Sequence, residues 1–171
     1  MHPKKTQKSN RKIRVGISIG DYNGIGLEVI IKTFSDARMM DVCTPIVYGN
    51  LNLVNAYKKS LNVSDFSFFS IKDAAQANPK KANLVEVWDD DAIITFGESK
   101  SDAGQKSFLS LEAATKDLAS NKIDVLVTAP INKNNIQSED FSFPGHTEYL
   151  ESQLEGESLM ILMSENLRIG L

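Results

Sequence analysis

The chain has 171 residues, of which 42% are hydrophobic and 24% are charged. These values are ordinary for one globular domain with a sizeable core, and they exclude collagen-like, wholly disordered and disulfide-rich classes. Cys43 is the only cysteine, so the sequence offers no intramolecular disulfide and favours a cytoplasmic protein. No apolar run approaches the roughly 18 residues that a membrane span needs, and no secretory signal is recognisable. We therefore expect no membrane partner.

Basic residues are concentrated at the N-terminus. Six of the 19 lysines and arginines precede position 15, where no acidic residue occurs, although the whole chain has a net charge of −3. The remainder is therefore acidic, which argues against a nucleic-acid-binding face. We interpret residues 1–11 as a disordered basic tail and residues 12–171 as the folded part. A basic arm that contacts an anionic partner is the alternative.

The predicted elements alternate between strands and helices. Residues 12–19 have the alternating apolar pattern of a strand, and a glycine-rich turn follows at 20–26. This alternation favours an α/β fold, with a parallel or mixed sheet, helices on both faces and right-handed crossovers. The other elements are predicted strands at 43–48, 66–71, 84–88, 124–128, 159–163 and 166–171, and predicted helices at 25–37, 51–61, 103–120 and 147–154.

Three predictions concern which side chains are buried. The first helix is expected to bury one apolar face against the core. The side chains on that face are Ile25, Val29, Ile30, Phe34 and Ala37. Lys106 is expected on the solvent face of the helix at 103–120. The strand at 124–128 is almost entirely apolar, which is typical of a strand buried on both faces.

The glycine-rich turn GDYNGIG follows a predicted strand and precedes a predicted helix, a position that favours anion binding. Its spacing matches neither the dinucleotide fingerprint nor a P-loop. The residues alone leave two interpretations open: a tight turn that needs positive φ at a glycine, or a turn that also lines an active site. Asp21 and Asn23 are accordingly either turn-forming residues or ligand contacts.

Two further segments carry candidate site residues. Lys133 follows the predicted strand at 124–128, where ligands of open α/β sheets bind, and could neutralise a phosphate or a carboxylate. His146 and Thr147 follow Pro-Gly at a predicted helix start, where an imidazole can exchange hydrogen bonds at neutral pH and a threonine can cap the helix. The alternatives are an exposed lysine in a first helical turn and a capped helix start with an incidental histidine.

The sequence supplies little for a metal site. Residues 89–91 are three consecutive aspartates, but no calcium-loop spacing completes them, so a solvated turn is favoured. The other histidine, His2, lies in the predicted tail. A three-histidine metal site therefore cannot be built from this chain alone.

Four sequence blocks resemble the 4-hydroxythreonine-4-phosphate dehydrogenase family of vitamin B6 biosynthesis. The opening block resembles the family's GDPAGIGPE segment, and two later blocks resemble its TGPINK and FPGHTE signatures. The order of the blocks is also that of the family over nearly all of residues 12–171. The blocks are ISIGDYNGIGLEVI at 17–30, SDAGQKSFLSLEAA at 101–114, DVLVTAPINK at 124–133 and FPGHTEYLE at 143–151.

This resemblance implies a fold like that of isocitrate and isopropylmalate dehydrogenases. It also implies NAD-dependent oxidation of 4-phosphooxy-L-threonine, followed by decarboxylation to 3-amino-2-oxopropyl phosphate, in a cytoplasmic homodimer. A divalent metal (zinc, magnesium or cobalt) held by three histidines polarises the reacting oxygen in this family. His146 and Thr147 match its substrate-contacting pair, and Asp21, Asn23 and Lys133 become plausible neighbours of the active site. The NAD contacts are not assigned.

The chain departs from the family in two respects. Tyr22 and Asn23 replace the usual Pro-Ala of the opening loop, and Leu27 stands where proline is common. Family members are also about twice as long, and their metal-binding histidines would lie beyond Leu171. We therefore interpret the chain as an N-terminal portion, expect no metal ligands in it and expect it to be inactive alone. The alternatives are a dehydrogenase of another phosphorylated hydroxy acid, such as phospho-threonate or phospho-erythronate, and a non-catalytic binding domain.

Overall fold

The computed structural model describes residues 11–171. The predicted disordered tail at 1–11 lies outside these residues except for Arg11. The guanidinium of Arg11 lies 2.7 Å from the carboxylate of Asp124. Among the described residues, no helix combines the length and the apolar character needed to cross a membrane.

A five-stranded parallel sheet forms the centre of the fold, in the order β3-β4-β2-β1-β5. A separate antiparallel hairpin is made by β6 and β7. The strands are β1 Arg14–Ser18, β2 Thr44–Gly49, β3 Phe69–Ile71, β4 Asn83–Glu86, β5 Val125–Thr128, β6 Ile161–Met163 and β7 Arg168–Gly170. The helices are α1 Gly26–Phe34, α2 Met39–Val42, α3 Leu51–Ser60, α4 Ser101–Ala119 and α5 His146–Gln153, with a 3-10 turn at Ala74–Gln76.

Helices cover both faces of the sheet, so the predicted α/β class is confirmed. On one face, α1 and α3 pack on a cluster that includes Ile17 and Leu84. On the other, α4 packs on Ile46 and Tyr48. A smaller aromatic cluster around Phe141 joins α4 to α5. The carboxyl ends of β1 and β5 are adjacent because the two strands pair directly.

The prediction for the inward face of α1 was partly wrong. Ile25 is 60% exposed and Val29 is 51% exposed, whereas Leu27 and Ile31 are fully buried. The close approach of Gly26 to the sheet determines this rotation: a Cβ there would lie 2.5 Å from the carbonyl oxygen of Ile19.

The prediction that β5 is buried on both faces was also wrong. Val127 pairs with Ile17 and shares its face of the sheet, but it is 52% exposed. No helix among the described residues covers that face at β5. An apolar strand sequence indicates which side chains can be buried, but it does not show how far the covering helices extend.

Lys106 is the third correction. Its side chain is only 4% exposed rather than solvated, and its ammonium group contacts Asp90 at 2.5 Å and Asp102 at 2.8 Å. Two carboxylates satisfy the buried charge, which removes the usual reason for a helical lysine to face water.

Candidate functional site

The candidate site begins where β1 and β5 end side by side. Gly20 has φ +65°, and a Cβ there would lie 2.2 Å from the carbonyl oxygen of Pro130. The amide of Asp21 donates to that same oxygen at 3.0 Å, and the amide of Ala129 donates to Ser18 at 3.0 Å. Glycine is required here because the chain needs positive φ and the two loops touch.

The glycine-rich loop is a tight turn that uses its own polar groups. The amide of Asn23 donates to the Asp21 carboxylate at 2.8 Å, and the amide of Gly24 donates to the Asp21 carbonyl at 3.0 Å. With the Asp21 amide bound to Pro130, three amides of this loop are already engaged. They are therefore not directed at a phosphate, in contrast to the amides of a P-loop.

Asp21 joins the two loops through its side chain. The carboxylate is 7% exposed, and its second oxygen accepts a hydrogen bond from Asn135 Nδ2 at 2.8 Å. Asn135 was not singled out in the sequence. The only available signal was its place in the polar run 132–135 after β5, where asparagines are common in turns.

Asn23 binds a third segment that no motif predicted. Its Oδ1 accepts from the Thr95 amide at 2.8 Å, and its Nδ2 donates to the Glu98 carbonyl at 3.1 Å. Its backbone carbonyl accepts from the Gly97 amide at 2.9 Å. A cleft of about 270 Å³ opens between these loops, and it is lined by Asp21, Asn23, Gly24, Ile25, Gly97, Glu98, Pro130, Ile131 and Asn132.

Lys133 and His146 are brought together at the start of α5. Lys133 Nζ lies 3.9 Å from the position that a Cβ on Gly145 would occupy, and Glu148 Oε2 lies 3.5 Å from the same point. His146 Nε2 is buried and has no hydrogen-bond partner among the described residues. Burial, and secondarily the Lys133 charge, lower the pKa of His146. The imidazole is therefore neutral at pH 7 and is placed beside a cation.

Thr147 is partly exposed in the first turn of α5. The N-cap position is Gly145, and no side chain caps the helix. Of the two roles left open for the Thr147 hydroxyl, capping of the helix is therefore not observed. The first turn of α5 keeps its partial positive charge beside Lys133, which favours anionic or polar ligand atoms there.

The three aspartates at 89–91 are exposed. Asp90 contacts Lys106, and Asp91 accepts a hydrogen bond from Asn52 Nδ2 at 3.0 Å. No group of three histidine, cysteine, aspartate or glutamate residues in the described part of the chain has the arrangement of a metal site.

Comparisons with known proteins find a matching family and relatives with similar names. The family described as "Pyridoxal phosphate biosynthetic protein PdxA" matches residues 41–171. A 4-hydroxythreonine-4-phosphate dehydrogenase from Bacteroides thetaiotaomicron is 45% identical over 162 residues, which cover 94% of this chain and 44% of the relative. A D-threonate 4-phosphate dehydrogenase from Cupriavidus necator is 31% identical over 160 residues, covering 91% of this chain and 47% of the relative.

A solved structure of a protein with the same name is also similar to this chain. The crystal structure of a 4-hydroxythreonine-4-phosphate dehydrogenase from Burkholderia phymatum superposes with a TM-score of 0.79 at 28% identity. The match covers 94% of this chain and 49% of that one. The chain thus spans about half the length of the relatives it matches.

Proposed function

The chain belongs to the PdxA family of pyridoxal phosphate biosynthetic proteins, and from this premise we propose that its protein is an NAD-dependent 4-hydroxythreonine-4-phosphate dehydrogenase. The reaction oxidises the secondary alcohol of 4-phosphooxy-L-threonine, and the resulting β-keto acid decarboxylates to 3-amino-2-oxopropyl phosphate. A cytoplasmic homodimer is part of the proposal, as the family resemblance implies. The 171-residue chain alone is proposed to be inactive.

The observation that carries this proposal is the unpartnered, buried Nε2 of His146 beside Lys133. Buried polar atoms in folded proteins nearly always have a partner, so this atom is suited to a ligand group. A neutral imidazole can exchange a hydrogen bond with a substrate hydroxyl, while Lys133 neutralises a carboxylate or phosphate. Thr147 completes the substrate-binding set from the same helical turn.

Asp21 and Asn23 have a different part in the proposal. Both oxygens of the Asp21 carboxylate and both polar atoms of the Asn23 amide are already hydrogen-bonded within the protein. We assign them to the walls of the cleft rather than to direct contact with the substrate. The expectation that they neighbour the active site stays a prediction.

The described residues do not fit the divalent metal that the family implies. His146 lies beside the Lys133 cation, and although the Glu148 carboxylate is also near, the described residues contain no group of three histidine, cysteine, aspartate or glutamate residues that could hold a metal ion. Three amides of the glycine-rich loop are engaged within the protein and the loop lacks the dinucleotide fingerprint, so we place no NAD contact there. Neither the metal nor NAD is therefore assigned to the residues described.

A second substrate class is supported by the D-threonate 4-phosphate dehydrogenase relative at 31% identity. D-threonate 4-phosphate also presents a hydroxyl beside a carboxylate and a phosphate. His146, Thr147 and Lys133 could bind these groups equally well. Phospho-erythronate belongs to the same class.

The test is an assay of the purified protein that contains this chain, with NAD and each phosphorylated hydroxy acid in turn, following NADH absorbance. We expect turnover of 4-phosphooxy-L-threonine. Oxidation of only the threonate or erythronate compound would establish the second candidate. No turnover of any of them would favour the non-catalytic alternative and contradict the proposal.

His146→Asn tests the assigned residue. Loss of the substrate hydrogen bond should lower kcat/KM by about 10- to 100-fold, while elemental analysis shows unchanged metal content. Gln153→Ala, at the exposed end of the same helix, is the matched control and should leave the kinetics unchanged. Metal loss in His146→Asn would instead make His146 a metal ligand.

A further inference from the structure

The segment between β4 and α4, residues 87–100, contains neither helix nor strand. We name it the strap. Most of its residues beyond Trp88 are exposed, although Ala92 and Ile94 pack partly against the core. Phe96 also makes an edge-on ring contact with Tyr57. Because apolar burial is limited beyond Trp88, polar contacts with the rest of the chain contribute to the position of the strap as well.

Side chains from α3 and its N-cap, from α4 and from the glycine-rich loop hold the strap along its length. Near its start, Asn50 Nδ2 donates to the Trp88 carbonyl at 2.8 Å, and Asn52 donates to Asp91. Lys106 of α4 contacts Asp90. Near its end, Asn23 of the glycine-rich loop binds Thr95 and Glu98.

The network around Lys106 fixes the strap relative to α4. Tyr22 is buried and donates through its hydroxyl to Asp102 at 2.5 Å, and Asp102 also accepts from Lys106 at 2.8 Å. Burial alone would lower the pKa of Lys106, but the hydrogen bonds that its ammonium group donates to Asp102 and Asp90 raise the pKa overall. The ammonium group therefore stays charged and holds both carboxylates.

Asn23 makes the contacts nearest to the cleft. It is only 3% exposed, and its side chain and backbone together bind three strap residues: Thr95, Gly97 and Glu98. Gly97 and Glu98 line the same cleft as Asp21 and the turn after β5. Together with the hydrogen bond that Asn132 Nδ2 of the turn donates to Ser99 Oγ at 3.3 Å, the contacts of this buried amide therefore hold that wall next to the turn.

We propose that Asn23 is a positioning residue, which holds residues 95–98 of the strap as one wall of the substrate cleft and acts on the substrate through that wall. The cleft reaches Asn132, the residue before Lys133, and the role of the wall in substrate binding rests on the function proposed above. The tethering of the strap by Asn23 rests on the hydrogen bonds alone.

The experiment compares Asn23→Ala with Asn52→Ala in the purified protein that contains this chain. Both variants remove carboxamide contacts to the strap, but Asn52 contacts it at the exposed Asp91, which does not line the cleft. Hydrogen exchange of the Thr95 amide and steady-state kinetics with 4-phosphooxy-L-threonine and NAD are measured for each. Cooperative melting confirms that each variant is folded.

In Asn23→Ala the Thr95 amide should exchange at least about tenfold faster, because its acceptor is gone. KM should rise about 3- to 10-fold with kcat little changed, as expected for one or two lost hydrogen bonds that orient the wall. Asn23→Asp, which keeps the acceptor for Thr95, should give intermediate values. Asn52→Ala should leave both measurements unchanged.

Either of two results would overturn the inference. One is an equal exchange rate of the Thr95 amide in Asn23→Ala and Asn52→Ala, and the other is a KM that is unchanged in Asn23→Ala. If the unsubstituted protein oxidises none of the candidate hydroxy acids, the proposed function fails by itself. The exchange measurement then decides alone whether Asn23 positions the strap.

Discussion

At the residue scale, two features of His146 determine its protonation state. Its Nε2 is buried without a partner among the described residues, and the charged neighbour that affects its pKa is a cation. Both features disfavour the imidazolium form. The residue is therefore kept neutral across the physiological range, which is the state in which an imidazole can either donate or accept a hydrogen bond.

Replacing Lys133 with methionine should raise the pKa of His146, because it removes the cation that disfavours protonation. The pKa should stay below 6.5, since burial is the larger cause of the shift. Proton NMR titration of the imidazole measures it directly. Lys116→Met, which removes a lysine paired with Glu112 on α4, is the control; an equal shift there would contradict the assignment.

The same depressed pKa predicts a pH dependence of stability. The unfolded state binds the His146 proton more readily than the folded state, so stability falls as pH decreases below about 7. In His146→Asn, the free energy of unfolding should depend less on pH in this range. Urea titrations at several pH values provide the measurement, and an unchanged slope would show that the folded-state pKa is not depressed.

At the scale of elements, the contact between α4 and the turn after β5 determines where Lys133 is held. A Cβ on Gly104 would lie 1.9 Å from the carbonyl oxygen of Asn135. That backbone atom cannot move independently, because the Asn135 side chain also binds Asp21. Helix, turn and glycine-rich loop therefore form one packed unit.

Gly104→Ala should lower the free energy of unfolding by about 2–3 kcal/mol, since either the helix or the turn must shift. The better helix propensity of alanine offsets only about 1 kcal/mol of the clash. Gly24→Ala is the comparison, because its Cβ would meet only the Asp21 carbonyl at 3.3 Å. Urea denaturation of both variants tests this, and equal stabilities would contradict the packing argument.

Asp124 connects the start of β5 to β1. Its carboxylate accepts from the Arg14 backbone amide at 2.8 Å and pairs with the guanidinium groups of Arg14 and Arg11. Hydrogen bonding by Arg14 is the main cause that lowers the pKa of Asp124 to about 2. The folded state therefore binds this proton less readily than the unfolded state.

Asp124→Asn should lower the free energy of unfolding by about 1–2 kcal/mol at pH 7, allowing for the partial exposure of the pair. The sign of the shift means that the contribution is complete above pH 4 and disappears as pH falls toward 2. Denaturation at pH 7 and at pH 2.5 tests this. A difference between the variant and the parent that stays constant with pH would contradict it.

At the scale of the whole molecule, apolar surface is concentrated on two features. β5 exposes Val125 and Val127 at an edge of the sheet, and its outer side pairs with no described strand. The β6–β7 hairpin exposes Leu162 and Met163. Such edges and patches promote pairing with other chains.

We expect the 171-residue polypeptide to self-associate at micromolar concentration, and Val127→Lys to reduce this association, because a charge on an edge strand opposes pairing. Light scattering and sedimentation velocity measure both. Ile93→Lys, at an 81% exposed position on the strap, is the control and should have little effect. A monodisperse parent chain would contradict the expectation.

The sequence was sufficient for the fold class and for the motif segments of the candidate site, but not for the segment at 95–98 that also lines the cleft. Alternating strand and helix patterns are local properties, and parallel strands place their carboxyl ends at one edge of the sheet. This is why Asp21 and Lys133, more than 100 positions apart in the sequence, could both be expected near that edge.

Only the tertiary structure decided which polar groups meet. Asn23 binds Thr95 and Lys106 binds Asp90 across elements that no local pattern connects. Helical periodicity likewise identified an apolar face on α1, but the contact of Gly26 with the sheet set its rotation and left Val29 exposed. The periodicity of apolar residues specifies how side chains are spaced within one helix or strand. Burial and hydrogen bonding depend instead on where other elements pack against that helix or strand.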